Sequence, residues 1–275
     1  MSNKRLLTQI SPEDSRDYTP QTVNEKVTEL PDKYLPENRM QVFNQALSSQ
    51  CVAHAIVTMI QYCEQKQGLT PNNYSRGFIY ANRNGQDTTM EGMYTRKALK
   101  IFQKEGTCPY YSFRWGQSSL SRVIKKFETK KEELEKEALN YTVIDSYYRI
   151  SSFDALKQAI YNNGAAVISV PCWATFLYQK KVEHRKEYTS THSNHLLCAI
   201  GWDGDYIICQ DSYSPLAHFN GGLVYIHKDY KINEMWSVKL KTNTERPQYT
   251  PTNEEKYAGY IKYLFQWLFG WIFGK

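Results

Sequence analysis

Gln45-Ala46-Leu47-Ser48-Ser49-Gln50-Cys51-Val52-Ala53 is the stretch on which the reading of this chain turns. From Cys51 to about Lys66, apolar Ala55, Ile56, Met59, Ile60 and Cys63 recur at spacings of three and four, which predicts a helix with one buried face. Cys51 is the first residue of that helix. Unpaired backbone N–H groups and the positive dipole end favour an anion there, and the thiolate is the nucleophilic form of cysteine. A developing oxyanion needs donors fixed in advance. The backbone N–H of Cys51 and the side-chain amide of Gln45, six residues upstream, suit that task.

Such a thiol needs a base held by a third group. His195 immediately precedes the apolar run Leu196-Leu197-Cys198-Ala199-Ile200, so it sits at a strand edge on rigid backbone. Asp211 follows 16 residues later, after a turn signal at 201–205 and a strand-like run at 206–209. A two-stranded hairpin brings the two side by side. Asp211 then accepts from one ring nitrogen of His195 while the other faces Cys51.

Around these segments the pattern predicts an α+β fold of two segregated lobes. A second helix is expected over about 94–105, with Tyr94, Ala98, Ile101 and Phe102 on one face and Gly106 as its C-cap. A third covers about 121–139, and a short one 152–161. Strands are expected at 166–170, 196–200, 206–209, 223–226 and 236–240. The corresponding organisation is an extended N-terminal arm at 1–40, a mainly helical lobe at 41–140 and a mainly β lobe at 141–241. A linker and an apolar C-terminal helix follow at 242–275.

Composition excludes other classes. The net charge is +6, and the densest charged run, 125–136, alternates five Lys with four Glu, which suits a solvated helix rather than a phosphate-tracking stripe. Nucleic acid is therefore not an expected partner. No apolar segment follows Met1-Ser2-Asn3-Lys4-Arg5-Leu6-Leu7, so a cytoplasmic site is expected, with virion-associated or membrane-peripheral placement as variants. The cysteines at 51, 63, 108, 172, 198 and 209 are then expected as free thiols. Cys51 with His54, and His192 with His195, are three residues apart, but neither pair completes a four-ligand set, so no metal and no cofactor is expected. The tail segment 257–273, opening on Tyr257 and closing on Phe273, is dense in aromatic and aliphatic residues. At about 25 Å as a helix it is short for a bilayer span, and suits docking on a membrane surface or a larger assembly, with burial against the protein's own surface as the alternative.

Four segments, in order, resemble papain-like cysteine peptidases, in particular their bacterial and phage branch. The quoted stretch is similar to the family's Q-G-x-C-G-S-C-W-A. Asn194-His195-Leu-Leu-Cys-Ala-Ile-Gly201-Trp202 resembles N-H-A-V-x-x-V-G-Y, and Gln210-Asp211-Ser212-Tyr213-Ser214 resembles K-N-S-W-G. Gly221-Gly222-Leu-Val-Tyr is similar to the following N-G-Y segment. His195 lies 144 residues after Cys51, within the papain-like range. Gly92 with the helix after it, and Gly106-Thr-Cys-Pro109, are also similar to that branch.

The resemblance covers roughly 30–240 and implies a papain-like two-lobed fold. It implies an endopeptidase that cleaves polypeptides through Cys51, His195 and Asp211, with Gln45 in the oxyanion hole and an acyl-enzyme intermediate. Gly92, Tyr213 and Asn194 are then substrate-groove residues. Asp211 stands where the family has asparagine, Ser48 where it has a disulfide cysteine, and Val52 and Tyr213 where it has tryptophans. No long inhibitory propeptide is expected before Cys51. The rival readings are a catalytically silent papain-fold component, as of a phage particle, and a Cys-His cell-wall amidase.

Overall fold

Residues 8–83, 90–172, 176–183, 193–242 and 247 are described by the structure, a computed structural model. The segments β1 (Thr8–Gln9) and β2 (Lys33–Tyr34) lie in the arm, followed by α1 (Cys51–Lys66) and α2 (Arg76–Asn82). Then come β3 (Met93–Tyr94), α3 (Thr95–Lys104), α4 (Leu120–Glu128) and α5 (Lys131–Ala138). The second half holds β4 (Ile144–Ile150), α6 (Phe153–Asn163), β5 (Ala166–Cys172) and β6 (Lys181–Val182). It ends with β7 (Ser193–Asp203), β8 (Tyr206–Gln210), β9 (Leu223–His227) and β10 (Glu234–Leu240).

One sheet organises the second half, in the order β4-β10-β5-β7-β8-β9-β6, with β2 added to β7. Side chains alternate across a strand. Val167, Leu196, Cys198 and Ile200 therefore face the cluster built on α1, while Ala166, Ile168, Val170, Leu197 and Ala199 join a second cluster with α6. Both faces are covered, which is why β5 and β7 read as continuous apolar runs. The α+β architecture with helices ahead of the sheet agrees with the sequence pattern.

The spacing predicts one buried face on α1, but 14 of its 16 residues are buried. The helix is wedged between the sheet and the other helices, so its polar face is also enclosed and must find partners inside. His54 meets the Gly116 carbonyl at 2.7 Å, Gln61 donates to the Asn72 carbonyl, and Glu64 accepts from the Asn72 N–H and the Tyr74 hydroxyl.

Two further differences have local causes. The expected helix over 121–139 is two helices, because Lys130 takes φ −136° and the Thr129 hydroxyl bonds back to the Lys126 carbonyl. Gly201 and Trp202, expected in the turn, lie within β7, which runs on to Asp203. A Cβ on Gly201 would stand 2.2 Å from the Tyr34 carbonyl oxygen, so glycine there serves the close approach of β2. The helix α2 and the strand β4 have no counterpart in the sequence reading.

Candidate active site

Cys51 starts α1 and is fully buried, its sulfur 3.2 Å from the Thr8 hydroxyl. Burial by itself pushes the thiol up. The His195 imidazole, the Thr8 hydroxyl and the Leu196 backbone N–H together outweigh that and bring it below its ordinary value. A thiol in an apolar interior does the opposite, as Cys172, Cys198 and Cys209 show: burial drives all three well upward.

His195 lies in β7 and Asp211 just beyond β8, and the pairing of Cys198 with Gln210 aligns the two ends as the hairpin argument requires. The Asp211 N–H is fixed to the Gly222 carbonyl at 2.9 Å. Nε2 of His195 stands 2.7 Å from Oδ1 of Asp211, with both side chains excluded from solvent. That bond commits Nε2, leaving Nδ1 turned to the thiol without a conventional hydrogen bond. Burial pulls His195 down, but Asp211 and Cys51 reverse this and push it up to about 10. Burial likewise raises Asp211, and His195 with His218 overcomes it, holding the carboxyl well below the usual carboxylate range.

Gln45 is fully buried beside this pair. Its amide nitrogen donates to the Ser48 carbonyl at 2.8 Å, leaving one amide hydrogen, and its amide oxygen accepts from the Ser212 hydroxyl at 2.6 Å. Ser48, at the position of the family's disulfide cysteine, instead donates its hydroxyl to the Gln45 carbonyl at 2.7 Å.

The groove residues are placed as follows. The Tyr213 ring lies 5.5 Å from the His195 ring at a 43° tilt, and Phe176 meets His195 edge-on at 6.3 Å. These two aromatics thus pack against the His195 ring. Asn194 lies next to His195, with its side-chain oxygen accepting from Asn233. Gly92 is buried at φ +83°, its N–H donating to the Tyr80 hydroxyl and its carbonyl accepting from Arg83. Its backbone groups are thus engaged by the protein itself, and the extended edge lies one residue further on, at Met93 and Tyr94.

That edge is taken. Thr8 and Gln9 pair in parallel with Met93 and Tyr94 and carry the Thr8 hydroxyl onto the thiol. The arm is fastened just downstream. The Ser11 N–H donates to Glu234, Arg96 pairs with Asp17 at 2.5 Å, and Arg149 reaches Asp17 and the Ser11 carbonyl.

Two residues of the site have no counterpart in the sequence reading. Ser212 bridges Gln45 to Asp211, its N–H donating to Oδ1 at 2.6 Å. His218, fully buried with φ +60°, places Nε2 2.7 Å from the other Asp211 oxygen. Neither belongs to a periodic pattern, and a histidine seven residues after the aspartate in irregular chain carries no spacing signal. All six cysteines are free, and among the described residues no group of three or more His, Cys, Asp and Glu is placed to hold a metal. His192 and the segment 257–273 lie outside the described residues.

The family model described as papain family cysteine protease matches residues 37–240. No curated protein sequence matches the chain. Among solved structures, xylellain, a cysteine protease from Xylella fastidiosa, superposes with a TM-score of 0.68 at 18% identity, covering 86% of this chain and 97% of its own. A procathepsin B from Trypanosoma congolense gives 0.66 at 12% identity, covering 87% of each chain. The bromelain protease of Ananas comosus gives 0.58 at 16%, covering 77% of this chain and all of its own. At such identities the superpositions speak for the fold alone. The family match spans well over half of the sequence, and with it the chain belongs to the papain family of cysteine proteases and is a thiol hydrolase of polypeptides.

Proposed function

We propose that the chain is an endopeptidase in which Cys51 is the nucleophile, His195 the base and acid, Asp211 the orienting group and Gln45 an oxyanion donor. The observation that carries this is the His195–Asp211 bond of 2.7 Å, which fixes the ring with its other nitrogen toward a thiol already biased to ionise.

The proton of Cys51 resides on His195, giving a thiolate–imidazolium pair. The sulfur attacks the peptide carbonyl carbon, and the electron pair moves to the oxygen. The Cys51 backbone N–H and the free amide hydrogen of Gln45 stabilise that oxyanion. The C–N bond breaks as His195 gives its Nδ1 proton to the leaving amine, and a thioester on Cys51 remains. Water then attacks with His195 accepting its proton; the sulfur leaves, and the carboxylic product departs. Asp211 keeps Nε2 protonated throughout, so Nδ1 is always the exchanging atom.

Replacing Cys51 with Ala removes cleavage of a denatured protein substrate, whereas hydrolysis that persists in the variant refutes the assignment. For segment 257–273 we infer docking on a membrane surface or an assembly. Unchanged liposome binding and assembly after deletion of residues 253–275 contradict that.

A further inference from the structure

Asp211 is gripped from two sides. Oδ1 accepts from His195 Nε2 and the Ser212 N–H, while Oδ2 meets Nε2 of His218 at 2.7 Å. The other nitrogen of His218, Nδ1, lies 2.6 Å from the Gln179 carbonyl oxygen. A carbonyl only accepts, so Nδ1 carries a hydrogen. A second hydrogen must lie between Nε2 and Oδ2, because two lone pairs at that distance repel. Whichever atom holds it, the Asp211–His218 pair carries no net charge.

We propose that His218 is a positioning residue that balances the charge of Asp211, so that the near oxygen still holds His195 Nε2 while the site gains no net negative charge. This rests on the reading of Cys51 and His195 as nucleophile and base. Asp211 stands where papain-like enzymes have a neutral asparagine. A bare carboxylate there, beside the Cys51 thiolate, would set two negative charges against the single positive charge of His195. His218 restores the balance.

Among the described groups, none other is placed to do so. Cys172 and Cys209 face Asp211 as neutral thiols, driven upward by burial, and His54 is neutral, pushed down to about 3 by burial and Arg76. Thr8 brings only a hydroxyl. The fold also tolerates local strain to place this ring: His218 is in the left-handed region at φ +60°, which disfavours a non-glycine residue. Phe176 then fixes the ring edge-on at 5.2 Å.

The test is the pH dependence of Cys51 alkylation by iodoacetamide, with the site identified by peptide mass, in wild type, His218→Gln, Asp211→Asn and the double variant. Removing the shared hydrogen leaves Asp211 a bare carboxylate, which raises the thiol. His218→Gln is therefore expected to move the acid limb of alkylation up by about one pH unit, a tenfold loss of rate below the limb. In the Asp211→Asn background the same change is expected to leave the limb where Asp211→Asn alone puts it. An unmoved limb in His218→Gln, or an equal shift in both backgrounds, overturns the proposal, since a merely structural role is indifferent to the charge at 211. Should His218→Gln fail to fold, ¹⁵N NMR of the wild-type imidazoles decides: a proton held between Nε2 and Oδ2 supports the pair, and its absence overturns it. Alkylation is read without peptide hydrolysis. A chain that shows the shift yet cleaves no peptide refutes the protease mechanism and leaves this inference standing.

Discussion

The Thr8 hydroxyl and the Cys51 sulfur lie 3.2 Å apart across 43 positions of chain, so a residue of the arm covers the thiol. Thr8 is carried there by the ladder to Met93 and Tyr94, and the arm is anchored at Ser11 and Asp17.

Removing residues 1–10 leaves the anchor in place and takes away the cover. Alkylation of Cys51 is expected to accelerate by at least tenfold, measured by mass spectrometry at fixed pH. A rate equal to that of the full chain contradicts the idea that the arm limits access.

The pH profile follows from the same site. His195 is pushed up to about 10, so it still holds the proton needed by the leaving amine far above its ordinary value of 6.5. The alkaline limb of kcat/KM is expected near pH 10, and a limb near 6.5 excludes the Asp211 effect. For stability the signs are opposite. The raised His195 stabilises the fold fully below 6.5, and this is lost as pH rises through about 10. Asp211, depressed in the fold, stabilises above its ordinary 3.8, and this is lost as pH falls through its folded value. The contribution of the pair to thermal stability is therefore greatest between about pH 4 and 6.5.

Gln45→Ala is expected to lower kcat by about 10²- to 10³-fold with little change in KM, because the amide acts on the oxyanion rather than on the bound ground state. Folding is checked by the melting temperature, since Gln45 also holds Ser48 and Ser212. A kcat within a few-fold of wild type removes Gln45 from the mechanism.

Gly201→Ala tests the fold away from the chemistry. The new methyl would sit 2.2 Å from the Tyr34 carbonyl oxygen, a backbone atom that cannot turn aside. Destabilisation of about 1–3 kcal/mol is expected in denaturant unfolding. No loss would mean that β2 does not press on β7.

Much of this was legible in the sequence, for identifiable reasons. The helix α1 and strands β5, β7, β8, β9 and β10 carry strong apolar patterns, and their burial produces those patterns. Cys51, His195 and Asp211 are legible together because the hairpin geometry ties 195 to 211 locally. The two-residue strands β1 and β3 exist only through each other, and no local window reveals a pairing between segments so far apart. His218 and Ser212 act through single polar bonds to two partners each, and isolated polar atoms leave no period. The polar face of α1 misled for the opposite reason, since its partners come from distant loops.

The central claim, that Cys51 is an activated nucleophile beside His195, is tested most directly by a thiol-directed epoxide on the chain lacking residues 1–10, read by intact mass and peptide mapping. The account predicts a single adduct on Cys51, absent in Cys51→Ala, slowed at least a hundredfold in His195→Ala, and none on the five other buried thiols. Labelling at another cysteine, or a Cys51 adduct that forms equally fast without His195, contradicts it.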